Sequence, residues 1–131
     1  MQKHGILNSK IAKVLADLGH TDRIMIADCG LPIPRDVERI DLALEFGVPS
    51  FLDVLRVVMD NMKVEQYLIA SEMDSLNRPL FQEMQQLMGD IPGAYVTHGR
   101  LKEYSRDVKA IIRTGEATPY ANVILQSGCI F

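Results

Sequence analysis

The sequence predicts a single α/β domain over residues 1–131, with a mostly parallel sheet of about five strands and helices on both faces. Three observations carry this expectation. The contiguous apolar runs Ile24-Met25-Ile26-Ala27 and Tyr67-Leu68-Ile69-Ala70 suit strands covered on both sides, as in parallel sheets. Between them, Phe51, Val54, Leu55, Val58, Met59 and Met62 fall on one stripe of a helix, while Asp53, Arg56, Asp60 and Asn61 face away. Strand and helix patterns then alternate along the chain, which implies crossover connections.

In chain order, Asn8 is an N-cap for a helix whose apolar positions Ile11, Val14, Leu15 and Leu18 make one stripe, and Gly19 closes it. His20 follows directly, near the negative end of that helix dipole, where positive charge is favoured. After the first strand, Gly30-Leu31-Pro32-Ile33-Pro34 is a stiff loop, because each proline fixes φ and removes a donor. Residues Glu38 to Leu42 read as a short edge strand, and Ser50 as the cap of the next helix, with Asp53 at its third position. Val64 to Ala70 is the second buried strand; Glu72 just beyond it is placed to reach a site, though an exposed charge is its commoner fate. Pro79 suits the first turn of a helix with Phe81, Met84, Leu87 and Met88 inward, stopped by Gly89 and Pro92. Ala94 to Val96, Lys109 to Arg113 and Val123 to Leu125 complete the strands, and Thr97 caps a brief helix beginning at His98. The connection from Thr114 to Asn122 is long for a small domain, and long ordered loops are often functional.

Composition narrows the function classes. Hydrophobic residues are 47% and charged residues 24% of the chain, ordinary for a folded globular protein. A net charge of −3 with no dense basic patch argues against nucleic acid or an anionic membrane surface as the main partner. Cys29 and Cys129 have neither metal nor redox spacing, and residues 1–10 lack an apolar signal core, so a cytoplasmic protein with reduced thiols is expected. Gly-x-Gly-x-x-Gly and Gly-Lys-Ser/Thr phosphate loops are absent, so the fold class does not imply nucleotide binding.

The chemistry-bearing candidates gather around strand ends. Asp28 follows the first strand, where open α/β sheets usually bind ligands; it also suits capping the turn at Gly30. His20 is either a helix-end residue bonding the last carbonyls or a general acid. His98 stands at a helix start, and His4 near the terminus reads as solvated. No His or Cys spacing supports a metal site. Cys29, beside Asp28, is a poor nucleophile, and Arg113 at a strand end reads as a partner of Glu116 rather than of a ligand. Tyr120 and Asn122 read either as loop packing or as ligand contacts.

Taken together, Lys3-His4-Gly5-Ile6-Leu7-Asn8-Ser9, Leu18-Gly19-His20-Thr21-Asp22, Asp28-Cys29-Gly30-Leu31-Pro32-Ile33-Pro34 and the run from Ile112 to Asn122 resemble the signatures of the D-ribose pyranase (ribose mutarotase) family, over essentially the whole chain. L-fucose mutarotases are relatives of that family. The resemblance implies a cofactor-independent isomerase of ribose catabolism, cytosolic, assembled as a ring-shaped homo-oligomer, typically a decamer. It implies His20 as proton donor, with Asp28, His98, Tyr120 and Asn122 binding the sugar. Cys29, where alanine is usual, and Gly99-Arg100 after His98 depart from the pattern, which leaves another monosaccharide such as L-fucose open. A non-catalytic sugar-binding module is the alternative from another class.

Acid and base suffice for such a reaction, since ring exchange involves neither redox chemistry nor a leaving group. Asp28 is suited either to bind a hydroxyl or to orient an imidazole. One geometric expectation follows from the first strand. If Arg23 to Ala27 is extended, His20 and Asp28 lie roughly 15 Å or more apart at ~3.3 Å per residue, so one chain does not bring both to one sugar. Either the segment bends or a neighbouring subunit completes the pocket, and the second is favoured.

Overall fold

The computed structural model describes residues 1–131. Its strands are β1 (Arg23–Ala27), β2 (Glu38–Asp41), β3 (Val64–Ala70), β4 (Gly93–Val96), β5 (Ala110–Arg113) and β6 (Val123–Ser127). The helices are α1 (Ser9–Asp17), α2 (Phe51–Asn61), α3 (Ser71–Leu76), α4 (Arg78–Met88) and α5 (His98–Tyr104). One six-stranded sheet runs in the order β2-β5-β1-β6-β3-β4. The expected count of about five is thus exceeded by one. Five strands are mutually parallel, and β6, in the interior of the sheet, is antiparallel to both its neighbours.

Side-chain alternation splits the buried residues between two layers. Ile24 and Ile26 of β1 join the larger core with Phe51, Leu55 and Val58 of α2 and Met84 and Met88 of α4. Met25 and Ala27 point the other way, into a smaller cluster with Leu31, Val37, Ile111, Ile124 and Leu101 of α5. Helices therefore cover both faces, as expected, but unequally. The α1 stripe buries Ile11, while Val14, Leu15 and Leu18 pack partly buried against the larger core.

The capping expectations hold. Asn8 accepts from the Ile11 amide, Ser50 from Asp53 and Thr97 from Arg100. Residues Glu38 to Asp41 form an edge strand, and Pro79 lies in the first turn of α4. Three details differ. Helix α1 ends at Asp17 with Leu18 as C-cap, before Gly19. Arg113 pairs with Asp41 and donates to the Cys29 carbonyl, not to Glu116, because β2 lies beside β5 and brings Asp41 opposite Arg113. Glu116 instead accepts the amide of Phe51 at the start of α2. The short helix α3, immediately after β3, has no counterpart in the apolar pattern because Met73 is its single buried residue.

No helix is long and apolar enough to cross a membrane.

Candidate functional site

At the carboxyl end of β1, Asp28 and Asn122 hold each other. The Asp28 amide donates to Asn122 Oδ1 at 2.9 Å, and Asn122 Nδ2 donates to Asp28 Oδ2 at 2.7 Å. Asn122 is fully buried, so this reciprocal pair satisfies polar atoms that are otherwise costly to bury. The Gly30 amide donates to Asp28 Oδ1, forming the turn anticipated from sequence. Both carboxylate oxygens are thereby fixed, and each keeps acceptor capacity for a ligand hydroxyl.

The loop from Thr114 to Asn122 is fastened along its length. The Thr114 hydroxyl donates to the Ala27 carbonyl, Thr118 to the Glu116 carboxylate, and Asn77 Nδ2 to the Thr118 hydroxyl and the Pro119 carbonyl. These bonds deliver Tyr120 to the site with φ of 61°, in the left-handed region. Its ring meets His98 edge to face, centroids 5.1 Å apart. His98 Nδ1 is buried with no hydrogen-bond partner.

Glu72, for which an exposed charge is the commoner fate, takes part. Its carboxylate accepts the His98 amide at 2.9 and 3.2 Å, tying the end of β3 to the start of α5. That bond is the main reason its carboxyl group is held below the ordinary value of 4.5. Position alone offered one signal for Glu72, since it follows a parallel strand, where ligand loops cluster.

His20 lies elsewhere. It precedes β1, beside the start of β3 and the end of the antiparallel β6: the Thr21 amide donates to the Ser127 carbonyl, and His20 Nε2 is 2.9 Å from Glu65 Oε2. A carboxylate, not the last carbonyls of α1, is therefore its polar partner, because the chain has already left the helix at Leu18. Its side chain is 56% exposed. Thr21, next to it, has φ of 69°; Thr21 and Tyr120 are the two non-glycine residues of the chain with positive φ, and each adjoins or belongs to a candidate group.

The structure thus brings Asp28, His98, Tyr120 and Asn122 to one end of the sheet and leaves His20 at the other. Strand β1 pairs in continuous register from Arg23 to Ile26 with β6 and from Met25 to Ala27 with β5, without a bend. None of the five main surface concavities, 220 to 500 Å³ in volume, is lined by any of the five residues. The candidate residues therefore fall into two separate groups, one at each end of the sheet.

A doubly covered α/β sheet with carboxylate, imidazole, phenol and amide side chains gathered at its strand ends defines the class. The match to known proteins defines the family. Residues 1–130 match the model of the RbsD/FucU transport protein family, and the chain belongs to that family. It is similar to a D-ribose pyranase of Exiguobacterium sibiricum, 60% identical over 131 residues and 100% of both chains. A D-ribose pyranase of Bacillus cytotoxicus is 56% identical over the same span, again 100% of both. Among solved structures, Bacillus subtilis RbsD complexed with D-ribose superposes with a TM-score of 0.98 at 49% identity, covering 100% of each chain. A fucose mutarotase of Streptococcus pneumoniae, in complex with L-fucose, shares the fold at a TM-score of 0.71 and 22% identity, over 95% of each chain.

Proposed function

We propose that this chain is a cofactor-independent isomerase that interconverts the pyranose and furanose forms of D-ribose. The full-length likeness to D-ribose pyranases and to ribose-bound RbsD supports the substrate and the reaction. Ring opening protonates the ring oxygen as the anomeric hydroxyl gives up its proton. The carbon to ring-oxygen bond breaks to give the open-chain aldehyde, which closes again through a different hydroxyl. The anomeric proton passes to solvent water, from which the acid regains one, and closure runs the same transfers in reverse at the other hydroxyl; electrons and atoms thus balance, and the protein supplies one acid and hydroxyl contacts. His20 donates the proton. Asp28, His98, Tyr120 and Asn122 of a neighbouring copy bind the hydroxyls, with carboxylate, imidazole, phenol and amide offering both donors and acceptors.

The observation that carries this reading is the separation of His20 from the other four residues by the length of an unbent strand. A site built between copies suits the ring-shaped decamer and the cytoplasmic setting expected from the family resemblance. Leu44 and Phe46, two residues apart on one loop and strongly exposed, offer apolar surface for such assembly.

Mixing inactive variants tests it. His20→Ala and Asn122→Ala homomers are each expected to lose nearly all activity; after dissociation and random reassembly in equal amounts, about a quarter of the sites combine an intact His20 with an intact Asn122. NMR exchange spectroscopy on ribose then shows activity returning to about that fraction. A mixture as inactive as its components refutes the shared site. The description of the family as transport proteins favours a second reading, a sugar-binding module without proton transfer. In that case substoichiometric wild-type protein leaves the ring-exchange rate of ribose unchanged.

A further inference from the structure

The strand ends around His20 contain a hydrogen-bonded chain whose direction is fixed by chemistry. Arg23 Nε lies 2.9 Å from Gln126 Oε1. A guanidinium only donates, so the Gln126 carbonyl must face it and the Gln126 NH₂ must face away. That NH₂ is 2.8 Å from Glu65 Oε1. Glu65 Oε2 in turn lies 2.9 Å from His20 Nε2. The two donors, Gln126 first and His20 second, hold the Glu65 carboxyl below its ordinary range, so it stands as an acceptor. Every link therefore points one way, and His20 Nε2 must carry the hydrogen.

Local sequence builds the chain. Arg23 and Gln126 are register partners across β1 and β6, and Gln126 is also opposite Gln66 on β3. The pairing of β3 slips between Val64 and Gln66, an irregularity of the kind that re-aims a side chain, and Glu65 lies within it. Gly128 makes the room: a Cβ there would stand 2.9 Å from Glu65 Cβ.

We infer that Glu65, braced by Gln126 and Arg23, is a positioning residue that holds the His20 ring with its proton on Nε2 and presents Nδ1 to the substrate. This rests on His20 being the proton donor. In the neutral ring Nδ1 is then the free lone pair, and in the imidazolium it is the donor facing the sugar. Glu65 touches no substrate atom; it sets which nitrogen does.

The substitution Glu65→Gln gives an unusual readout. Its single carbonyl is claimed by the Gln126 NH₂, which Arg23 prevents from turning. The new NH₂ must then face His20, which accepts it only by moving its proton to Nδ1. Long-range ¹H–¹⁵N spectra of the neutral His20 ring are expected to show the Nε2–H form in the wild type and the Nδ1–H form in Glu65→Gln. Ribose exchange should fall about tenfold or more in kcat with KM nearly unchanged. Adding Arg23→Met, which frees Gln126 to turn, should return part of the Nε2–H signal and part of the rate. Should Glu65→Gln fail to fold, Glu65→Leu serves instead; it removes the acceptor facing Nε2, and loss of the single-tautomer spectrum is expected. A wild-type ring found in the Nδ1–H form, or Glu65→Gln with tautomer and kcat unaltered, overturns the inference. If His20→Ala keeps full acceleration, the acid assignment fails, while the tautomer assignment still stands or falls on the spectra alone.

Discussion

The two ends of the sheet hold their polar residues by different means. At the carboxyl end, Asp28 and Asn122 bond each other twice, Gly30 adds a third contact, and the 114–122 loop is pinned to α2, β1 and the residue preceding α4. At the other end, His20 has a half-exposed side chain with one carboxylate partner. The first arrangement fixes several groups relative to one another, as recognition of many hydroxyls needs. The second aims one group and leaves its remaining nitrogen free, as proton transfer needs. Binding and rate should therefore separate on mutation, and the comparison can be broken by finding that they do not.

The largest effect is expected for His20→Ala: ring exchange falls about 10²- to 10⁴-fold while ribose affinity by calorimetry stays near wild type. Equal losses of affinity and rate would erase the distinction between the ends. Next, Asn122→Ala leaves the partly buried Asp28 amide and carboxylate short of partners, at a cost of about 1–3 kcal/mol in urea unfolding, together with loss of ribose binding. His20→Ala, on an exposed turn, should shift the same midpoint far less. Gly115→Ala would drive a methyl into the carbonyl oxygens of Val48 and Glu45, costing about 1–3 kcal/mol and disturbing the loop that carries Tyr120, so sugar binding should weaken although no ligand group is removed.

The smallest effect concerns acid. The folded-state value of the Glu72 carboxyl lies below 4.5, chiefly through the His98 amide. Its ionised form therefore stabilises the fold fully above the ordinary carboxyl value, and that contribution is lost as pH falls through the folded value. Stability profiles of wild type and Glu72→Gln should keep a constant offset near neutral pH and converge in acid. An offset that widened in acid would contradict the assigned bond.

Much of the fold was legible because its signals are local. Val64 to Ala70 coincides with β3, and Asn8, Ser50 and Thr97 cap their helices as read, since caps and apolar runs depend on residues within a turn of one another. The direction of β6 was not legible: Val123 to Leu125 is as apolar as a parallel strand, and nothing in the nine residues before it encodes which way it returns. The pairs His20–Glu65 and Glu72–His98 join residues 45 and 26 positions apart, and isolated glutamates in a sequence look like solvated surface. Arg113 was misread for the same reason, because its true partner depends on which strand lies beside it. The extended run from Arg23 to Ala27 was the informative exception. Its simple length, read without any tertiary knowledge, already separated His20 from Asp28.

Strand β6 also bears on how this sheet is joined. The segments β2-β5-β1 and β3-β4 meet only through it, and it is synthesised after all five others. Without it the sheet is two unjoined half-sheets, each with an open edge at the centre line, so a chain ending before Val123 is expected to lack one continuous sheet. The continuity of the whole sheet thus rests on its last strand in sequence.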